Sequence, residues 1–314
     1  MSIGIARAPQ DGLERGLLLK NADLALYQAK ASGRSCFLNF LPEMEAKARK
    51  KREFELALRK AVPLRQLELH YRPQVDIETN RLVGLEAMLR WRHPSQGILN
   101  SPAFIPIAEE IGIVVSIGEW ALKAACQEAS RWPDNVTIAI CVSPLQFETE
   151  RFFRAVTHAL EAAGIVGSRL ELEVTESILL RDGRSVLAIL NKLRSIGVKV
   201  AVDSFGTGIA SLSQMVELPL DKIKIDQTLI EENGSDAKQR AIVRAIVALG
   251  EGLGVSTLVD GVTSPEHLAR IQRDGCSSVK GYLFSQAVTG KELYASVQAL
   301  LSAIPFNQET ETQP

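Results

Sequence analysis

From about residue 64 onward the chain alternates between short β-branched or aliphatic runs and longer stretches with helical apolar spacing, which narrows its possible folds. Strands are predicted near 67–75, 81–89, 136–142, 169–174, 198–203, 222–226, 255–259 and 277–280. Helical patterns fall at 103–110, 116–131, 148–163, 184–195, 208–216, 236–252, 265–274 and 289–302. The first two strands are close enough to form a hairpin turning at Glu78-Thr79-Asn80. Eight strands connected this way over about 240 residues fit an α/β fold of the (β/α)8 TIM-barrel type, modified by its hairpin start. A doubly wound open sheet has the same periodicity and stays open as the alternative. Acids at several separate strand ends favour the barrel, because closure brings those ends to one mouth.

Composition sets the class. The 314 residues are 46% hydrophobic and 23% charged, enough to bury a large core. A formal net charge of −1 gives no bulk attraction to a nucleic acid polymer or an anionic membrane. Cys36, Cys126, Cys141 and Cys276 lack metal-ligand spacing, as suits reduced thiols in a cytoplasmic protein. No apolar run reaches membrane-span length and no signal-peptide pattern is present, so a cytoplasmic location without membrane insertion is expected.

Residues 1–40 offer a strand at Ser2-Ile3-Gly4-Ile5-Ala6, a helix from Leu17 to Ala31 and a strand from Ser35 to Phe40. Such a fragment cannot bury a core alone and reads as the tail of a domain that begins outside the sequence. Residues 41–62 form a mixed-charge helix suited to a solvated linker. The main domain is expected over 63–305, and 306–314 as a disordered tail.

The candidate chemistry lies at strand ends. Glu86, Glu173, Asp203, Lys224 and Asp260 all fall there, and Asp203 leads into Ser204-Phe205-Gly206-Thr207-Gly208. Clustered carboxylates bind hard cations such as Mg²⁺ or Mn²⁺. Metal plus lysine is equipment for phosphoester cleavage. Any one of these acids would serve equally as a helix cap. Five together point to a site.

Longer motifs are more specific. Gly84-Leu85-Glu86-Ala87-Met88-Leu89-Arg90-Trp91-Arg92-His93-Pro94 resembles the signature of EAL domains, the cyclic di-GMP phosphodiesterase family. So do Leu170-Glu171-Leu172-Glu173-Val174-Thr175-Glu176-Ser177, Asp203 to Gly208, Ile223-Lys224-Ile225-Asp226 and Gly281-Tyr282-Leu283-Phe284. The likeness covers roughly 60–305 in order. Ala22 to Arg34 is similar to the last helix of a GGDEF domain, whose cyclase signature is absent from the sequence. The EAL resemblance implies Glu86, Glu173 and Asp203 as metal ligands and Lys224 as the residue holding the attacking water. It implies Glu176 as organiser of the loop after Asp203, and Arg90 as a phosphate contact. Met88, Pro144, Arg72, Lys280 and Asp203 are expected to line the nucleotide site, and Asp260 to assist catalysis if the site is active.

Several positions depart from the family pattern. Met88 replaces leucine, a shape-tolerant swap. Cys141 replaces a ligand asparagine, and sulfur is a poor partner for Mg²⁺. Ser204 replaces an aspartate, Asp260 a glutamate, Thr263 an acid, and Lys280 and Arg72 glutamines. If all point inward, the mouth gains positive charge where two metals would sit. The expected function is a cyclic di-GMP receptor with an impaired metal site, needing no cofactor and acting through a signalling partner. The alternatives are a slow Mg²⁺- or Mn²⁺-dependent phosphodiesterase giving pGpG, and a scaffold that binds no nucleotide. Family habit also implies a homodimer.

Overall fold

Most strands after residue 64 alternate polar and apolar side chains, and the fold assigns each set a face. In the computed structural model, which describes residues 1–148, 150–176, 178, 183–206, 217–230 and 237–293, the chain divides into units Met1–Leu64 and Arg65–Pro314. The second unit contains β3 (Leu67–Asp76), β4 (Leu82–His93), β5 (Gly97–Asn100), α3 (Ser101–Glu110), α4 (Val114–Ala129) and β6 (Thr137–Cys141). There follow α5 (Arg151–Ala163), β7 (Leu170–Thr175), α6 (Gly183–Ser195), β8 (Lys199–Phe205) and β9 (Lys222–Ile225). The series continues with α7 (Ala237–Leu253), β10 (Ser256–Val259), α8 (Pro265–Arg273), β11 (Ser278–Val279) and β12 (Val288–Thr289).

The sheet runs β3-β11-β10-β9-β8-β7-β6-β4, and β4 pairs back onto β3, closing an eight-stranded barrel. The open-sheet alternative is thereby excluded. Strands β4 and β6 to β11 are parallel, while β3 runs antiparallel to both neighbours as the hairpin demands. The expected turn is present: Asn80 adopts φ 52° and Asp76 Oδ1 accepts from Thr79 N at 2.8 Å.

Two pieces exceed the sequence reading. β4 extends to His93 and pairs with β5, and β12 adds beside β3. These antiparallel additions lie outside the eight strands of the barrel and escape a pattern that counts β/α pairs. The expected helix at 208–216 lies outside the described residues, as do 294–314.

Side-chain parity fixes the core. Ile138, Ile140, Leu170, Leu172, Val200, Val202, Ile223 and Ile225 face outward and are buried in the apolar shell beneath the helices. The alternate positions of those strands point into the barrel, so Glu171, Glu173, Lys222 and Lys224 are interior despite their charge.

The first unit has β1 (Ile3–Ile5) parallel to β2 (Phe37–Asn39), with α1 (Arg15–Ala31) between them and α2 (Pro42–Arg59) following. A Cβ on Gly4 would lie 2.1 Å from Ala22 O, so the approach of α1 to β1 requires glycine. On the exposed side, α2 meets α1 through Lys20–Glu45 at 2.5 Å and through Lys51 Nζ donating to Tyr27 Oη at 2.8 Å.

Candidate functional site

Parity and closure assemble the site at the carboxyl ends of the parallel strands. Lys224 on β9 is 1% exposed and reaches Glu86 Oε1 on β4 at 3.0 Å, Glu173 Oε2 on β7 at 2.5 Å and Asp203 Oδ1 on β8 at 3.1 Å. β4 and β7 are not neighbours of β9, so these contacts cross the barrel interior. Lys280, just past β11, is also buried: its Nζ lies 2.5 Å from Glu86 Oε2 and 3.1 Å from Asp260 Oδ2. Arg72 on β3 approaches Asp260 Oδ1 at 3.6 Å and lies over the Tyr282 ring at 5.3 Å. Its buried Nε has no hydrogen-bond partner.

Arg72 and Lys280 therefore both turn inward. Thr263 does not join them. It is exposed and its Oγ1 meets His267 Nδ1 at 3.3 Å on α8, away from the ring. Ser204 follows Asp203 with φ 56°, and its backbone N donates to Asp203 Oδ1 at 2.9 Å. Glu176 Oε1 accepts from Gly206 N at 3.0 Å, tying the segment after β7 to the turn after β8.

Electrostatics follow from burial opposed by neighbours. Burial disfavours the Glu86 charge, but Lys224 and Lys280 outweigh it and hold its carboxyl well below the usual range. Burial, then the Glu86 charge, pushes Glu173 up to about 8. Burial opposes the charges of Lys224 and Lys280, yet the surrounding carboxylates raise both above the ordinary lysine value. Burial and then the Arg72 charge lower Arg90, and the two arginines lie on the paired strands β3 and β4.

Cys141, at the end of β6, donates to Glu173 Oε2 at 3.1 Å, and its Sγ lies 3.9 Å from Asp203 Oδ2. The residue opens onto a cleft of about 750 Å³ lined by Met88, Ile105, Glu109, Cys141, Pro144 and Thr175. Its depth in the mouth, then the Glu173 carboxylate, push the thiol well above its ordinary value. Ligand atoms of Glu86, Cys141, Glu173 and Asp203 all lie within 4.8 Å of one another, and buried Glu173 Oε1 has no hydrogen-bond partner. This donor set fits one divalent cation. It does not fit two, because the next residue along β8, Ser204, offers only a hydroxyl and Asp260 lies outside this group of four.

Sequence reasoning missed Tyr282 as the platform for Arg72 and the Ser143 Oγ bond to Glu109 Oε1 at 2.6 Å at the cleft wall. It also missed Lys222 and Glu171, paired at 2.7 Å one layer deeper in the barrel. The alternation Leu170-Glu171-Leu172-Glu173 and Lys222-Ile223-Lys224-Ile225 carried that signal.

A closed (β/α)8-type barrel with carboxylates gathered around a buried lysine at its carboxyl-end mouth defines a ligand-binding or hydrolytic barrel of the TIM class. Residues 55–287 match the EAL domain, and the chain belongs to the EAL domain family. It is 40% identical over 300 residues to the bifunctional diguanylate cyclase/cyclic di-GMP phosphodiesterase MucR of Pseudomonas aeruginosa, covering 94% of this chain and 44% of that protein. It is 32% identical over 288 residues to the cyclic di-GMP phosphodiesterase PdeR of Escherichia coli, covering 91% of this chain and 43% of that one. The chain thus spans less than half the length of these relatives. Among solved structures, the PaMucR phosphodiesterase in complex with c-di-GMP aligns with a TM-score of 0.72 and 39% identity, over 75% of this chain and 97% of that one. Among the described residues no helix is long and apolar enough to cross a membrane.

Proposed function

We propose that the barrel is a receptor for cyclic di-GMP that holds the dinucleotide with fixed cations and does not hydrolyse it at a useful rate. The observation that carries this reading is the inward placement of Arg72 and Lys280, with Lys280 only 2% exposed between Glu86 and Asp260. Arg72 beside Arg90 supplies positive charge for a phosphate, and the cleft beyond Met88 and Pro144 offers apolar walls for a base. Glu86, Glu173 and Asp203, with Cys141 beside them, would hold one divalent cation, which supplies Lewis-acid and water-activating chemistry when bound. Lysine and arginine supply neutralisation without that activation. The gathered acids and Lys224 also favour a second reading, a slow metal-dependent phosphodiesterase giving pGpG.

The likeness to MucR extends over 94% of this chain, its first unit included, and supports reading residues 1–40 as the C-terminal part of a GGDEF domain. A signalling partner and a homodimer belong to the same proposal.

The test is calorimetric titration of cyclic di-GMP into the protein in EDTA. Binding at micromolar or tighter affinity is expected, insensitive to added Mg²⁺. Arg72→Ala should weaken it roughly 10–100-fold, the worth of one charged hydrogen bond. Binding that appears only with Mn²⁺ and is followed by pGpG release would establish the phosphodiesterase reading instead. Absence of binding in both media would leave a scaffold.

A further inference from the structure

We propose that Cys141 converts the ring of Glu86, Glu173 and Asp203 into a site selective for one borderline or soft divalent cation, of the Zn²⁺ and Cd²⁺ class, and against Mg²⁺. This inference rests on the EAL assignment of the mouth, but not on nucleotide binding.

Four observations carry it. The four donor atoms lie within 4.8 Å of one another. The Cys141 Sγ separations, 3.1 Å to Glu173 Oε2 and 3.9 Å to Asp203 Oδ2, bracket the ligand spacing of roughly 3.3–3.8 Å that a tetrahedral zinc site requires. Glu173 is 1% exposed, and its buried Oε1 has no hydrogen-bond partner, so a polar atom in the ring lacks the contact its burial demands. Cys141 faces the cleft, which provides an entry path.

Ligand chemistry then sets the choice of ion. Mg²⁺ takes oxygen ligands in near-octahedral geometry and gives up water reluctantly. A sulfur donor in a four-atom set suits Zn²⁺ and its heavier analogue, which bind as a tetrahedron of thiolate, imidazole and carboxylate donors. The thiol binds as thiolate, its proton passing to solvent as the metal–sulfur contact forms.

Charge limits the number of ions. Once an entering cation displaces the proton held on Glu173, the four carboxylates of Glu86, Glu173, Asp203 and Asp260 face Lys224, Lys280 and Arg72, leaving one formal negative charge. One divalent cation with the Cys141 thiolate brings the mouth to neutrality. A second cation would leave it two positive.

The experiment is a titration of the EDTA-treated, dialysed protein with Cd²⁺ and with Co²⁺, read by the ultraviolet thiolate-to-metal charge-transfer band. A saturable band at one equivalent is expected, persisting in a large excess of Mg²⁺. Cys141→Ser should abolish the band. Cys141→Asn should weaken Cd²⁺ binding by at least roughly 10–100-fold and let Mg²⁺ compete. Circular dichroism and thermal unfolding of each variant report whether its fold is intact. Glu173→Gln, which keeps the thiol, should shift the affinity while retaining the band, so the test does not depend on one variant. No band in the parent protein, a band surviving in Cys141→Ser, or displacement of Cd²⁺ by Mg²⁺ would each overturn the proposal. These outcomes are separate from the nucleotide titration, which uses no metal.

Discussion

The barrel holds two buried ion clusters one layer apart. In the deeper one, Lys222 reaches Glu171 at 2.7 Å and Gln74 at 3.1 Å: one cation, one anion and an amide. In the upper one, Lys224, Lys280 and Arg72 face Glu86, Glu173, Asp203 and Asp260, and orphaned polar atoms remain on Glu173, Arg72 and Asp260. The same strands feed both, since Glu171 and Glu173 share β7 while Lys222 and Lys224 share β9. A two-residue step along a strand, about 7 Å, separates them. The deeper layer pairs one charge with one charge and leaves only a neutral amide nitrogen, Gln74 Nε2, without a partner, whereas the upper layer leaves atoms of charged groups unanswered at a cleft. That contrast distinguishes a structural ion pair from a site awaiting a ligand.

The contrast is open to attack from both sides. The largest expected effect is at the deeper layer, where Lys222→Met strands a buried Glu171 charge and should cost about 3–5 kcal/mol in denaturant unfolding. Adding Glu171→Leu should recover most of that loss, and affinity for cyclic di-GMP should not change. Altered affinity in the double variant would mean that the deeper pair also serves the ligand.

At the upper layer, Lys280→Gln should cost less in EDTA, about 1–3 kcal/mol, because Lys224 still holds Glu86. Millimolar Mn²⁺ should restore much of that loss through binding linkage, about 2.7 kcal/mol at a hundredfold excess over Kd. The Lys222→Met loss should not respond to Mn²⁺. Equal responses in thermal melts would erase the distinction.

A subtler effect concerns pH. Glu173 is held up to about 8 against 4.5 for an ordinary glutamate, so the folded state retains a proton that the unfolded chain releases. Its contribution is complete below pH 4.5, declines as pH rises and is gone above 8. Glu173→Gln should flatten that part of the stability–pH curve, and an unchanged slope would assign it elsewhere. The smallest effect is expected at Thr263: Thr263→Glu should move nucleotide affinity less than about twofold, given that Thr263 is exposed and turned to His267 on α8.

Much of this was legible in the sequence because barrels write a strong signal. The β/α alternation, the hairpin turn and the acids at separate strand ends gave the closed barrel, and the motif around Glu86 gave the family. Orientation was less legible. Arg72 and Lys280 carry no sequence mark of pointing inward, since that depends on strand parity and on the register that sets Lys280 beside Glu86 across the barrel. Thr263 looked like part of the same charge change but lies outside the ring. The deeper pair went unread because a charge in a strand usually signals an exposed face, whereas a barrel interior reverses that rule.

The buried Lys280 ammonium also constrains how this protein could change. Ser204→Asp and Cys141→Asn would introduce two oxygen donors, yet Glu86 Oε2 and Asp260 Oδ2 would still be engaged by Lys280 at 2.5 and 3.1 Å. Gain of metal-dependent hydrolysis should therefore depend on the order of substitution, with Lys280→Gln permissive for the other two. Activity in the triple variant but not in Ser204→Asp/Cys141→Asn would reveal that dependence. One lysine at the end of a two-residue strand would then act as a latch between two possible histories for the same barrel.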